Sequence, residues 1–123
     1  MRYRSVKNIL ERSTKHLLAQ MKRSLSEATA ERNEYNSCRY RGDDGRMCAL
    51  GCLISNNRYY PALEGLSSKD PKVLDAARIR MEDRRLADEL QSIHDGDEPW
   101  RWKSLLYAVH NKYNVPSEYM YDL

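Results

Sequence analysis

The stretch Cys38–Ile54, CRYRGDDGRMCALGCLI, limits what the rest of the chain can do. It holds all three cysteines and three of the five glycines, between flanks that are polar and helical in period. Asp-Gly at Asp44-Gly45 offers the positive-φ positions of a tight reversal, so Cys38–Arg41 and Arg46–Ala49 read as the arms of a short β-hairpin. Such a hairpin is marginal alone and needs helices against it. The apolar run Ala49–Ile54 that follows reads as a short buried helical turn or strand, closed by Ser55-Asn56-Asn57.

The flanks supply those helices. From Val6 to Ala28 the residues Val6, Ile9, Leu10, Leu17, Leu18, Met21, Leu25 and Ala28 recur at three- and four-residue steps, the mark of an amphipathic helix. Residues 29–37 lose the period and read as a helix end and loop. Tyr60-Pro61 and Gly65 mark an irregular crossing segment. Asp70-Pro71 is an N-cap followed by proline at the first helical position. The stripe Val73, Leu74, Ala77, Met81 is rotated from Leu86, Leu90, Ile93, so a break is expected near Arg80 to Asp83. The second part ends at His94-Asp95-Gly96, with Gly96 suited to a left-handed cap. Asp97-Glu98-Pro99 opens a last helix to about Tyr113, with Trp102, Leu105, Leu106, Val109 and Tyr113 facing inward and Asn114 ending it. The expected fold is α+β and mainly helical: four to five helices around a central hairpin, in a single domain over residues 1–123.

Charge separates the N-terminal helix from the remainder. The chain carries +3 overall, but residues 1–23 hold seven cations against Glu11 alone, a local +6 that leaves −3 elsewhere. Arg4, Arg12, Lys15, Lys22 and Arg23 gather opposite the Leu10/Leu17 stripe as a basic ridge, suited to a nucleic acid or an acidic partner. A second candidate face is Trp100 with Tyr107, away from the inward stripe of the last helix. No apolar run reaches the length of a membrane span and no signal-peptide core follows the basic start, so a cytoplasmic protein is expected.

The cysteines, odd in number, fit reduced thiols better than a disulfide framework. Cys38, Cys48 and Cys52 with His94 or His110 could surround a zinc ion, although the spacing lacks paired C-x2-C knuckles; small buried apolar residues are the simpler reading. His94-Asp95 is too few ligands for a metal hydrolase, and a cysteine nucleophile needs a base and an orienting group that sequence does not display. Gly42-Asp43-Asp44-Gly45 carries no Gly-Lys-Ser/Thr and two anions, against a phosphate cradle. No catalytic residue is therefore nominated.

One resemblance bears on origin. Tyr40-Arg41-Gly42, Asp44-Gly45, Cys48–Ile54, Tyr60 and Glu64-Gly65, then Leu90-Gln91, Ile93-His94-Asp95 and Trp102, resemble a family of small uncharacterised proteins encoded by phages and prophages. Lys22-Arg23-Ser24 matches the family's helix end, whereas Ser55-Asn56-Asn57 departs from its usual Pro-Asp turn. The resemblance implies a viral accessory protein acting in the bacterial cytoplasm. Three functions are therefore in play: a non-enzymatic binder that modulates or inhibits a host protein or complex, as in anti-defence; a nucleic-acid binder using the N-terminal helix; and a small-ligand sponge or zinc protein.

Overall fold

A computed structural model describes residues 2–20, 40–41, 47–96 and 101–116. Four α-helices run in chain order: α1 (Val6–Gln20), α2 (Pro71–Ala76), α3 (Arg84–Gly96) and α4 (Trp102–Lys112), with single 3-10 turns at Gly51–Leu53, Pro61–Leu63 and Met81–Asp83. Helix α3 packs on α4, and α1 packs on both α4 and the Gly51–Leu53 turn.

Helix α1 starts at Ser5, whose hydroxyl accepts the Asn8 amide at 3.1 Å as an N-cap. Its buried face is Ile9, Leu10, Ser13, Thr14, Leu17 and Leu18, adjacent pairs that recur every four residues. The apolar pairs were legible in the sequence; the polar pair between them was not. Ser13 donates to the Ala49 carbonyl at 2.8 Å, and Thr14 lies 2.7 Å from His110 Nε2. The residues expected to continue this helix to Ala28 lie outside the described residues, as do the loop 29–37 and the Asp97–Pro99 cap signal.

The expected β-hairpin is not formed. Among the described residues there is no strand: Tyr40 and Arg41 form a bend, Met47 and Cys48 are irregular, and Ala49-Leu50 turn directly into the 3-10 helix. The reversal itself, residues 42–46, lies outside the described residues. The backbone donors explain the correction, because they bond to side chains instead of a partner strand. The amides of Tyr40 and Arg41 both donate to the Glu64 carboxylate at 3.0 Å, and that of Leu50 donates to Gln91 Oε1 at 3.2 Å. An all-helical architecture over the described residues thus replaces the α+β expectation.

Glu64 is brought into position by a type II turn. It has φ −64° and ψ 138°, Gly65 has φ +84°, and Leu66 N–H closes the turn on Leu63 at 3.2 Å. The Tyr59 hydroxyl donates a third bond to the same carboxylate at 2.7 Å, and the Tyr40 hydroxyl donates to Leu66 at 2.6 Å. Tyr40, only 2% exposed, is thereby clamped over the 3-10 turn.

Asp70 caps α2 as expected, its carboxylate accepting the Lys72 amide at 2.9 Å with Pro71 next in line. The break comes earlier than expected, at Ala77-Arg78, and Met81 is consequently half exposed rather than in the core. Arg78 has φ +59°, and the Arg78 and Ile79 amides return to Asp75 and Leu74 at 3.0 and 2.8 Å, a Schellman ending with arginine in the glycine position. A side chain there strains the backbone. Arg78→Gly is expected to raise stability by about 1 kcal/mol, measured by urea denaturation.

Helix α4 ends in the same motif at Asn114, φ +56°, with Val115 N–H on His110 at 2.9 Å. Trp102 and Leu106 are buried as expected, while Leu105, Val109 and Tyr113 are partly covered.

Candidate functional site

The expected basic ridge is not uniform. Arg4 is a fastener: its guanidinium donates to the carbonyls of Ala77 at 2.9 Å and Leu53 at 2.7 Å and to Asn8 Oδ1 at 2.9 Å, and its backbone amide donates to Arg78 at 2.8 Å. One side chain thus ties the start of α1 to the 3-10 turn and to the end of α2, where it meets carbonyls the helix leaves open. Burial above all, then Arg78 and Arg12, pushes its pKa below the ordinary arginine value. This residue belongs to the scaffold. Arg12 and Lys15 stand exposed on α1, whereas Lys22 and Arg23 lie outside the described residues.

Beside Arg12 and Lys15 a groove of about 500 Å³ runs between α1 and the Met47–Cys52 segment. Its polar wall comes from α1: Asn8, Glu11, Arg12, Lys15 and His16. Its apolar side is Ala19, Met47 and Cys52. The volume lies in the range of small-ligand sites. His16 sits on the seam, with Nε2 2.6 Å from the Met47 carbonyl. Because a carbonyl only accepts, Nε2 carries the proton and holds the segment to α1. Sequence reading found Arg12 and Lys15 but not Asn8, Glu11, His16, Ala19 or Met47, because the groove's second wall comes from a segment 31 residues away in sequence from His16.

Tyr107, the other expected contact residue, is 42% exposed on α4, while Trp100 lies outside the described residues. The aromatic pair therefore stands described only in part.

The groups with reactive chemistry are held elsewhere. His94 is buried and stacks on Trp102 with ring centroids 5.2 Å apart and planes at 29°, joining α3 to α4. His110, also buried, is 2.8 Å from the Val115 carbonyl through Nδ1. Nδ1 is therefore the protonated nitrogen, and in the neutral ring Nε2 accepts from Thr14 across the α1–α4 contact. Cys48 is fully buried, and the Cys52 thiol donates to the Ala49 carbonyl at 3.2 Å. Among the described residues no three His, Cys, Asp or Glu side chains converge as metal ligands do, so Cys48 and Cys52 are not joined there by His94 or His110; Cys38 lies outside the described residues.

Burial first, and Cys48 beside it, push the Cys52 pKa up to about 12. The thiolate is the reactive form. Iodoacetamide at pH 8 is accordingly expected to label Cys52 about a thousandfold more slowly than an unhindered thiol, read by peptide mass mapping. Labelling at the ordinary rate would remove the case for a quiescent thiol.

Among the described residues no helix is long and apolar enough to cross a membrane. No family model matches the chain, nor does any curated protein or solved structure.

Proposed function

We propose that this chain is a non-enzymatic accessory protein of phage type that works in the host cytoplasm by attaching to a host macromolecule, most simply a protein, and altering its activity. One observation carries the reading: α1 holds Arg12 and Lys15 out beside an open groove, whereas Arg4, His94, His110 and the Cys48/Cys52 pair are tied into the scaffold. Exposed charged side chains set beside a concavity are what a docking face needs. The viral resemblance of the central motif supplies the setting.

The partner class separates under nuclease. Affinity capture from host lysate, with and without nuclease, is expected to return a stoichiometric protein in both arms. Loss of all captured material on nuclease treatment would transfer the role of α1 to nucleic acid, whose binding also weakens steeply with salt. Capture of nothing in either arm would remove the proposal.

A further inference from the structure

We infer that Arg4, Arg58 and Arg78, brought together at the last turn of α2, bind a phosphate group; none of the three lines the α1 groove. Backbone contacts set the arrangement. Arg4 donates its amide to Arg78 and its Nε to Ala77, at 2.8 and 2.9 Å, while the Arg58 guanidinium reaches the Asp75 carbonyl at 3.5 Å. All three side chains are half-buried, and every segment that forms the cluster lies within the described residues. Fastening the helix end accounts for Arg4 but not for the other two. The Arg58 bond is at the limit of length, and among the described residues the Arg78 guanidinium makes no hydrogen bond. Yet Arg78 stands at φ +59°, where glycine would relieve the strain. Strain of this kind collects where a side chain has a use beyond the fold.

The charges around the cluster favour an anion. Among the described residues none of the three guanidinia is in an ion pair, and Asp75, the acid on that turn, meets Arg58 and Arg78 through its backbone carbonyl. Burial first, then Arg78, lowers the Arg4 pKa, a like-charge effect that a bound anion would relieve. Open carbonyls at a helix end would repel such a ligand, but here they are covered: Val73 by the Ala77 amide, Leu74 by Ile79, Asp75 by Arg78, and Ala77 by Arg4. Arg4 spends three of its N–H donors on Ala77, Asn8 and Leu53, and a guanidinium has five. A carboxylate is matched by a single guanidinium fork, whereas the oxygens of a phosphate can accept from several.

The test titrates inorganic phosphate, methyl phosphate and acetate separately into the isotope-labelled full chain at constant ionic strength, followed by amide NMR. Saturable shifts at Arg58, Arg78 and Ile79 are expected, with a phosphate Kd of about 1 mM or tighter. Tighter binding of methyl phosphate would assign a phosphomonoester, and tighter binding of phosphate the free ion. Arg78→Gly should melt higher than the parent yet bind at least about tenfold more weakly, and Arg58→Gln should weaken binding without raising the melting point. Arg84→Gln, which removes an exposed cation from α3, should leave the Kd within about twofold. Any of four results overturns the inference: no saturable shift at these residues, equal saturation by acetate, unchanged binding by Arg78→Gly, or an Arg84→Gln loss as large as that of Arg78→Gly.

Discussion

Gly51→Ala is expected to lower stability by at least about 3 kcal/mol, and the cooperative thermal transition should fall by more than about 10 °C. The reason is distance. A Cβ on residue 51 would stand 2.0 Å from the Tyr40 carbonyl oxygen and 2.8 Å from its carbon, both backbone atoms. A flexible side chain could swing aside; this peptide cannot. Tyr40 is held by its own amide on Glu64 and by its hydroxyl on Leu66. The 3-10 turn is held from the other side by α1, where Ser13 grips Ala49 and Arg4 grips Leu53. Something must give, and each candidate takes bonds with it. Calorimetry that found the alanine variant within about 1 kcal/mol of the parent would show that the close approach is not a constraint.

Glu64→Ala is expected to be nearly as damaging, at about 3 kcal/mol. Its carboxylate accepts from the Tyr40 amide, the Arg41 amide and the Tyr59 hydroxyl. Bonds to an ionised acceptor are the stronger kind, and truncation leaves two backbone donors without their partner. Arg41 adds to the damage. Its guanidinium lies 5.2 Å over the Tyr59 ring and bonds the Ile54 carbonyl, so loosening Arg41 frees the end of the apolar turn. Glu64→Gln should recover part of the loss, because one oxygen still accepts while the amide nitrogen faces donors. Equal stability of the Ala and Gln variants in urea denaturation would argue against this division.

Both predictions concern residues that the sequence reading singled out in and around the central stretch. Glu64, set beside the Gly65 turn, holds Tyr40, whose carbonyl stands against Gly51, while Gln91 takes the Leu50 amide and His94 stacks on Trp102. A sequence label can record how a fold is locked without recording what it binds.

The sequence disclosed some of this and hid the rest for physical reasons. Apolar spacing revealed the buried pairs of α1 and the Trp102/Leu106 face, because periodic burial leaves a periodic trace. Asp70-Pro71 disclosed the start of α2, a local signal with a local cause. The hairpin expectation failed because Asp-Gly and alternating arms say nothing about a carboxylate 23 residues on that takes the Arg41 amide. Ser13 and Thr14 fall outside the apolar stripe and carried no sequence signal, and His110 stood out only as a possible zinc ligand. In the fold each has a buried bonding partner. The ridge was half legible: charge and angle placed Arg4 with Arg12 and Lys15, but only tertiary contacts distinguish the fastener from the exposed rim.

The division of labour between a structural centre and a binding α1 face is best tested by one paired capture experiment. Arg12→Glu with Lys15→Glu touches exposed side chains only, whereas Cys48→Ala touches the buried motif and not the groove. Each variant is presented to the same host lysate after its thermal transition is recorded, and the captured partner is quantified. The charge variant is expected to melt like the parent yet retain less than about a tenth of the partner, while Cys48→Ala melts lower and still captures it. Undiminished capture by the charge variant, with loss in a folded Cys48→Ala protein, would place function in the central motif and contradict this assignment.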